Sequence, residues 1–169
     1  MEKEFLNIAR DILVDKRFKA LKSYRHHIRC NAYYHSVKVA YFCYRHHKRF
    51  KMKSSVTELV RGALLHDYYI EKGCVKNRGR LHMIRHPKKA YMNALRDFGN
   101  MSKTQNDIIL RHMFPLTLKP PKTKDGYVVC FYDKVVAVSD FFAKNLWKKY
   151  KEKNDAKSKK SIDIQIPKC

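Results

Sequence analysis

Apolar residues recur at helical spacing along most of the chain. In residues 2–22, Phe5, Ile8, Ile12 and Leu13 alternate with charged positions at the period of an amphipathic helix. The stretch SYRHHIRCNAYY that follows is polar and aromatic without a period, and reads as a loop. The helical pattern resumes over 35–50, where Val39, Phe42, Cys43 and His46 share a face. Of the neighbours His46 and His47, the first is expected in the core and the second on the surface. Ser55, with Glu58 three residues later, predicts a helix start of capping-box type, and that helix would run through Leu59, Val60, Ala63 and Leu64 to Asp67. Residues 71–85 hold glycines and many cations and read as a basic loop. His86-Pro87 then opens a helix through Ala90, Ala94 and Leu95, because Pro suits a first helical position. Residues 102–113 predict another, capped by Ser102 or Thr104, with Ile108, Ile109 and His112 inward. Three prolines make MFPLTLKPPKTKDG a loop. YVVCFYDKVVAVSDFFAKNLW is rich in β-branched residues, but its length and the heptad pair Asp133 and Asp140 favour helix.

These elements predict an all-α fold, a single-domain helical bundle. An N-terminal helix in residues 1–24 would pack on a domain spanning 25–147, with a Lys-rich flexible tail over 148–169. Composition supports a packed domain: 44% of the 169 residues are hydrophobic, and Gly and Pro number only 5 each. The five cysteines form no CxxC pair, which speaks against a disulfide framework or zinc ribbon and for a reducing cytoplasm. No run of about 18 apolar residues is present, so no membrane span is expected. No pattern in the sequence fixes an oligomeric state. The net charge of +23 points to an anionic partner, whether a nucleotide, a nucleic acid or an acidic surface.

One stretch adds chemistry to this picture. In GALLHDYY, residues 62–69, an apolar helical stripe runs into His66 and Asp67. Asp67 shares a face with Val60, Ala63 and Leu64, and a carboxylate turned into a core needs a strong cationic partner. A metal ion would satisfy both groups, and imidazole with carboxylate suits a transition metal. A lone His-Asp pair is more often a helix end with a surface ion pair. Four further candidates stand at inward or terminal positions of other elements: His35, His86, His112 and Asp133. Each alone would ordinarily be a core or capping residue.

Taken together, His35, His66-Asp67 and Asp133 resemble the H…HD…D signature of the HD-domain metal-dependent phosphohydrolases. The surrounding text is similar too: YYHSVKVAYFCY resembles the first-His helix, RGALLHDYY the HD helix, and CFYDKVVAVSD the final-Asp helix. His86 in RHPKKAY and His112 in LRHMFP resemble the additional histidines of the binuclear branch. The likeness covers about residues 25–145. It implies a bundle of HD-domain type with the site at its centre. It further implies that His35, His66, Asp67 and Asp133 hold one divalent transition metal, and that Asp67 bridges to a second held by His86 and His112. Fe or Mn would suit these ligands, with Zn or Co also in the class. Two such ions can activate water for attack on phosphorus and clamp phosphoryl oxygens. The implied substrate is a nucleotide or other small phosphoester.

The text after HD is YYIE, and neither HDIGK nor GYP is present, which argues against a cyclic dinucleotide as substrate. Asp67 and Glu71 are the candidate catalytic acids, Glu71 being either an acid/base group or a solvated loop residue. Arg29, Lys38, Lys72 and Lys134 flank the ligands and are candidates to grip phosphate. Tyr33, Tyr34, Tyr68 and Tyr69 could stack a base or simply pack. Asp140 rivals Asp133, but apolar neighbours on both sides and the DK dipeptide favour Asp133. The alternative function is a basic nucleic-acid- or nucleotide-binding protein that keeps the fold without turnover.

Overall fold

The computed structural model describes residues 2–23, 31–69 and 80–142. Among these the chain is all-α, with seven α-helices and no strand. In order they are α1 (Glu2–Val14), α2 (Lys16–Lys19), α3 (Ala32–Arg49), α4 (Val56–Leu65), α5 (Arg80–Phe98), α6 (Lys103–Arg111) and α7 (Lys124–Phe142). A 3-10 turn over Ala20–Ser23 follows α2. Among these residues no helix is long and apolar enough to cross a membrane.

The N-terminal stretch is not one helix. Asp15 takes an extended conformation, and its carboxylate accepts from the backbone N–H groups of Arg17 and Phe18. An Asp that satisfies orphan donors in this way starts a new helix rather than continuing the old one. Phe5, Ile12 and Leu13 are buried as the period predicts. Helix α3 begins three residues earlier than the pattern suggests, because Asn31 accepts from the N–H of Tyr34 as its N-cap. His35 therefore sits one turn inside α3.

Helix α4 is the central element, packed against α1, α3, α5, α6 and α7. Ser55 caps it as predicted, accepting from Glu58 N–H. It ends at Leu65, two residues short of Asp67, so His66 is the cap residue and Asp67 stands in the following turn. Ser102 caps α6 in a full capping box with Gln105, which settles the choice against Thr104. Gly62 lets α4 and α6 approach closely: a Cβ there would lie 2.8 Å from Ile108 Cδ1.

Two further expectations are corrected. Pro87 does not open a helix; α5 starts at Arg80, and Pro87 lies within it. A Pro costs a helix one backbone hydrogen bond but need not end it, and here buried His86, Ala90 and Ala94 hold the helix to the core on both sides of Pro87. The His46–His47 pair is reversed. His47 continues the buried ridge of Val39, Ala40, Cys43 and Tyr44, and donates from Nε2 to the Ser54 carbonyl at 2.8 Å. His46 is half-buried against Phe50 and Tyr132. The proline-rich loop is tied down by buried Asp107, which accepts from Lys122 N–H, Thr123 N–H and Thr123 Oγ1 at 3.0, 2.8 and 2.7 Å. Gly126 makes room for this cap, since a Cβ there would lie 2.6 Å from Asp107 Oδ2.

Candidate metal centre

Five helices bring six side chains together. His35 comes from the first turns of α3, His66 and Asp67 from the end of α4, His86 from α5, His112 from the end of α6, and Asp133 from the middle of α7. All six are buried, with exposures from 0% for His35 and His66 to 8% for Asp133. They form two groups that share Asp67: His35, His66, Asp67 and Asp133, and then Asp67, His86 and His112. Within each group the potential ligand atoms lie within 4.8 Å of one another, and each could hold a metal ion.

The two oxygens of Asp67 face different groups. Oδ2 lies 3.3 Å from His66 Nε2 and 3.9 Å from His35 Nε2. Oδ1 lies 3.2 Å from His86 Nε2 and 3.4 Å from His112 Nε2. Asp133 closes the first group, its Oδ1 standing 2.9 Å from His35 Nε2 and 3.5 Å from His66 Nε2. In the second group the Nε2 atoms of His86 and His112 are 3.0 Å apart.

Two backbone carbonyls fix which nitrogens point inward. His66 donates from Nδ1 to the Ala63 carbonyl at 2.7 Å, and His112 donates from Nδ1 to the Ile109 carbonyl at 2.8 Å. A carbonyl only accepts, so Nδ1 carries the proton and Nε2 of the neutral ring offers its lone pair to the site. This outer bond is how a metal-ligating histidine is ordinarily oriented. His66 Nε2 is buried with no hydrogen-bond partner, facing two carboxylates. In a neutral ring that lone pair and the two carboxylates are all acceptors, so the dry site calls for positive charge. Burial opposes a charge on His66, yet Asp67 and Asp133 outweigh it and push the imidazole up to about 10, so without a metal ion a proton on Nε2 supplies that charge. Burial likewise works against the Asp133 carboxylate, but His35 and His66 hold it well below the usual range. His112 is lowered, chiefly by burial, which keeps its ring neutral. The residues present could therefore hold a metal ion.

Of the phosphate candidates, Lys134 borders the cluster. Its ammonium donates to the His112 carbonyl and to Asp133 Oδ2, and its side chain is one-third exposed. Lys38 is buried in α3, one turn beyond His35. Arg29, Lys72 and Glu71 lie outside the described residues, as does the side chain of Asp140. Among the tyrosines, Tyr33 and Tyr68 are buried and pack with Phe18, while Tyr69 sits with its ring 5.3 Å from that of His86. The Ala63 and Ile109 carbonyls and the Lys134 brace escape sequence reasoning. Their only sequence trace is that His66 and His112 each stand three residues after an apolar helical position, Ala63 and Ile109.

No protein-family model, curated protein or solved structure matches this chain.

Proposed function

We propose that the chain is an HD-domain metal-dependent phosphohydrolase of the binuclear type, acting on a nucleotide or another small phosphoester. One observation carries this reading: the Asp67 carboxylate is shared, with one oxygen toward His35 and His66 and the other toward His86 and His112. A bridging carboxylate between two histidine-rich groups is what a pair of ions a few Å apart requires. Two divalent ions, Fe or Mn by ligand type, would be held by His35, His66, Asp67 and Asp133, and by Asp67, His86 and His112. When bound, such ions supply Lewis-acid polarisation of phosphoryl oxygens and activation of water.

The chain's own groups supply the rest. The Ala63 and Ile109 carbonyls keep the His66 and His112 rings in one tautomer and orientation. Burial excludes bulk water, which strengthens every charge interaction inside. Lys134, braced on the His112 carbonyl and partly exposed, can direct a remaining N–H toward a phosphoryl oxygen at the margin of the site. The net charge of +23 draws anionic substrates toward this margin.

The test joins elemental analysis of the purified protein to turnover on a panel of phosphomonoesters, phosphodiesters and nucleoside phosphates. Turnover that His66→Ala and Asp67→Ala abolish is the expected result. Full activity in either variant contradicts the assigned roles. The +23 charge also favours a second reading, a nucleotide- or nucleic-acid-binding protein without turnover. Metal-loaded protein that turns over nothing but binds nucleic acid with a steep salt dependence would support it.

A further inference from the structure

We infer that the loop joining α6 to α7 docks on an anionic lipid surface, with Leu116 and Leu118 inserted below the headgroups and Lys119, Lys122 and Lys124 meeting the negative charge. Leu116 is 63% exposed and Leu118 94%, the two most exposed large hydrophobic side chains among the described residues. A single exposed apolar residue is ordinary on a protein surface. Two at alternate positions of one loop, both turned outward, are apolar area that packing on the domain would have covered.

The loop holds them outward although it is well fastened. Arg111 Nη1 donates to the Pro120 carbonyl at 2.8 Å, Thr117 N–H to the Met113 carbonyl at 3.1 Å, and the Cys130 thiol to the Phe114 carbonyl at 2.9 Å. Buried Asp107 holds the far end through the N–H groups of Lys122 and Thr123. Pro115, Pro120 and Pro121 restrict the backbone between these points. A loop fixed in this way presents its leucines ready placed, so docking orders little further chain.

Charge identifies the surface that receives them. From Arg111 to Lys124 the chain has no acidic residue. Lys119, Lys122 and Lys124 are exposed, whereas Arg111 is engaged with Pro120 and Asp107. Asp107 and Asp125, the acids that flank the loop in sequence, are buried. Protruding leucines edged by lysines fit a surface with apolar depth beneath negative charge, which is what anionic lipids offer. Nucleic acid offers the charge without the depth, and residues 115–123 include no aromatic ring on which a base could stack. Contact of this kind needs no spanning helix, and the net charge of +23 adds long-range attraction. The loop follows His112 directly, so docking through it holds the candidate metal centre close to the lipid surface.

Co-sedimentation of the full chain with phospholipid vesicles tests the inference. Binding is expected to vesicles holding about 30% phosphatidylserine in about 0.15 M salt, and much less to phosphatidylcholine alone. The double variant Leu116→Ser/Leu118→Ser should bind the anionic vesicles at least about tenfold more weakly. The triple variant Lys119→Gln/Lys122→Gln/Lys124→Gln should lose about a hundredfold. All five side chains are exposed, so circular dichroism and the melting midpoint should change little, which separates lost docking from unfolding. The sequence has a single tryptophan, Trp147, so Leu118→Trp in a Trp147→Phe background reports on the loop alone. Its emission should shift to the blue on the anionic vesicles and be quenched by brominated acyl chains. No vesicle binding by the wild type overturns the inference, with the leucines then left for a groove on an acidic protein. Leucine variants that bind as tightly as the wild type also overturn it, because adsorption then comes from the charge of the chain at large. Equal binding to neutral vesicles, or tryptophan emission that stays that of the free protein, overturns it equally.

Discussion

Replacing Asp97 by Asn should destabilise the protein at neutral pH and cost much less in acid. Asp97 lies near the end of α5, its side chain 3% exposed, and gathers three donors from different parts of the chain. Arg96 donates from Nε and Nη2 at 2.8 Å each, Arg17 from Nη1 at 2.9 Å, and the Tyr68 hydroxyl at 2.8 Å. Arg96 lowers the Asp97 carboxyl most; burial opposes it, and Tyr68 and Arg17 add to the lowering, for a folded value of about 2 against an ordinary 3.8. A shift of this size corresponds to about 2 kcal/mol of stability, since each pKa unit is about 1.4 kcal/mol. Because the folded value is the lower one, this contribution is complete above pH 4 or so and fades as pH falls through about 2. The assay is urea unfolding of wild type and Asp97→Asn across that interval. The difference between them should be about 2 kcal/mol at pH 6, a shift of roughly 4–8 °C in melting temperature, and should fall to about half or less near pH 2. Repulsion within a +23 chain also grows in acid, but it is common to both proteins and largely cancels in the difference. A difference that stays constant from pH 6 to pH 2 would refute the charge argument and assign the loss to packing.

Ser102→Ala should lower stability by about 1 kcal/mol in the same assay, because it removes the acceptor for Gln105 N–H and half of the capping box of α6. Gly62→Ala should cost about 1 kcal/mol from the contact with Ile108 Cδ1, despite the better helix propensity of Ala. Adding Ile108→Val removes that methyl, so the double variant should be more stable than the sum of the two single changes predicts. Mn²⁺ should raise the melting temperature of chelator-treated protein, and the increment should shrink as pH falls, because protons compete with the metal for the histidine nitrogens; a shift that grows in acid would contradict histidine ligation.

How far the sequence could be read depended on whether local chemistry decided the outcome. Ser55 and Ser102 announce helices because a hydroxyl cap acts within three residues of itself. Asp15 was hidden, since an acidic residue in an amphipathic stripe looks the same whether it continues the helix or caps the next one. Pro87 misled because its preference for a first turn is a tendency that core contacts on both sides can override. For His46 and His47 the period alone points one position away from the buried ring, and only packing against Ser54 and α7 decides between them. The metal-type cluster was legible from the cost of burying Asp67. The carbonyl bonds that orient His66 and His112 were not, because they depend on where α4 and α6 stop to within one residue. Arg29, Glu71 and Lys72 lie outside the described residues.

The most direct measurement is metal stoichiometry per chain by elemental analysis after loading with Mn²⁺ or Fe²⁺, for wild type, Asp67→Ala and His112→Ala. The binuclear reading predicts two ions in the wild type, one in His112→Ala, and none retained in Asp67→Ala, whose side chain faces both groups. A wild type that binds no metal, or an Asp67→Ala variant that keeps the full wild-type complement, would contradict it.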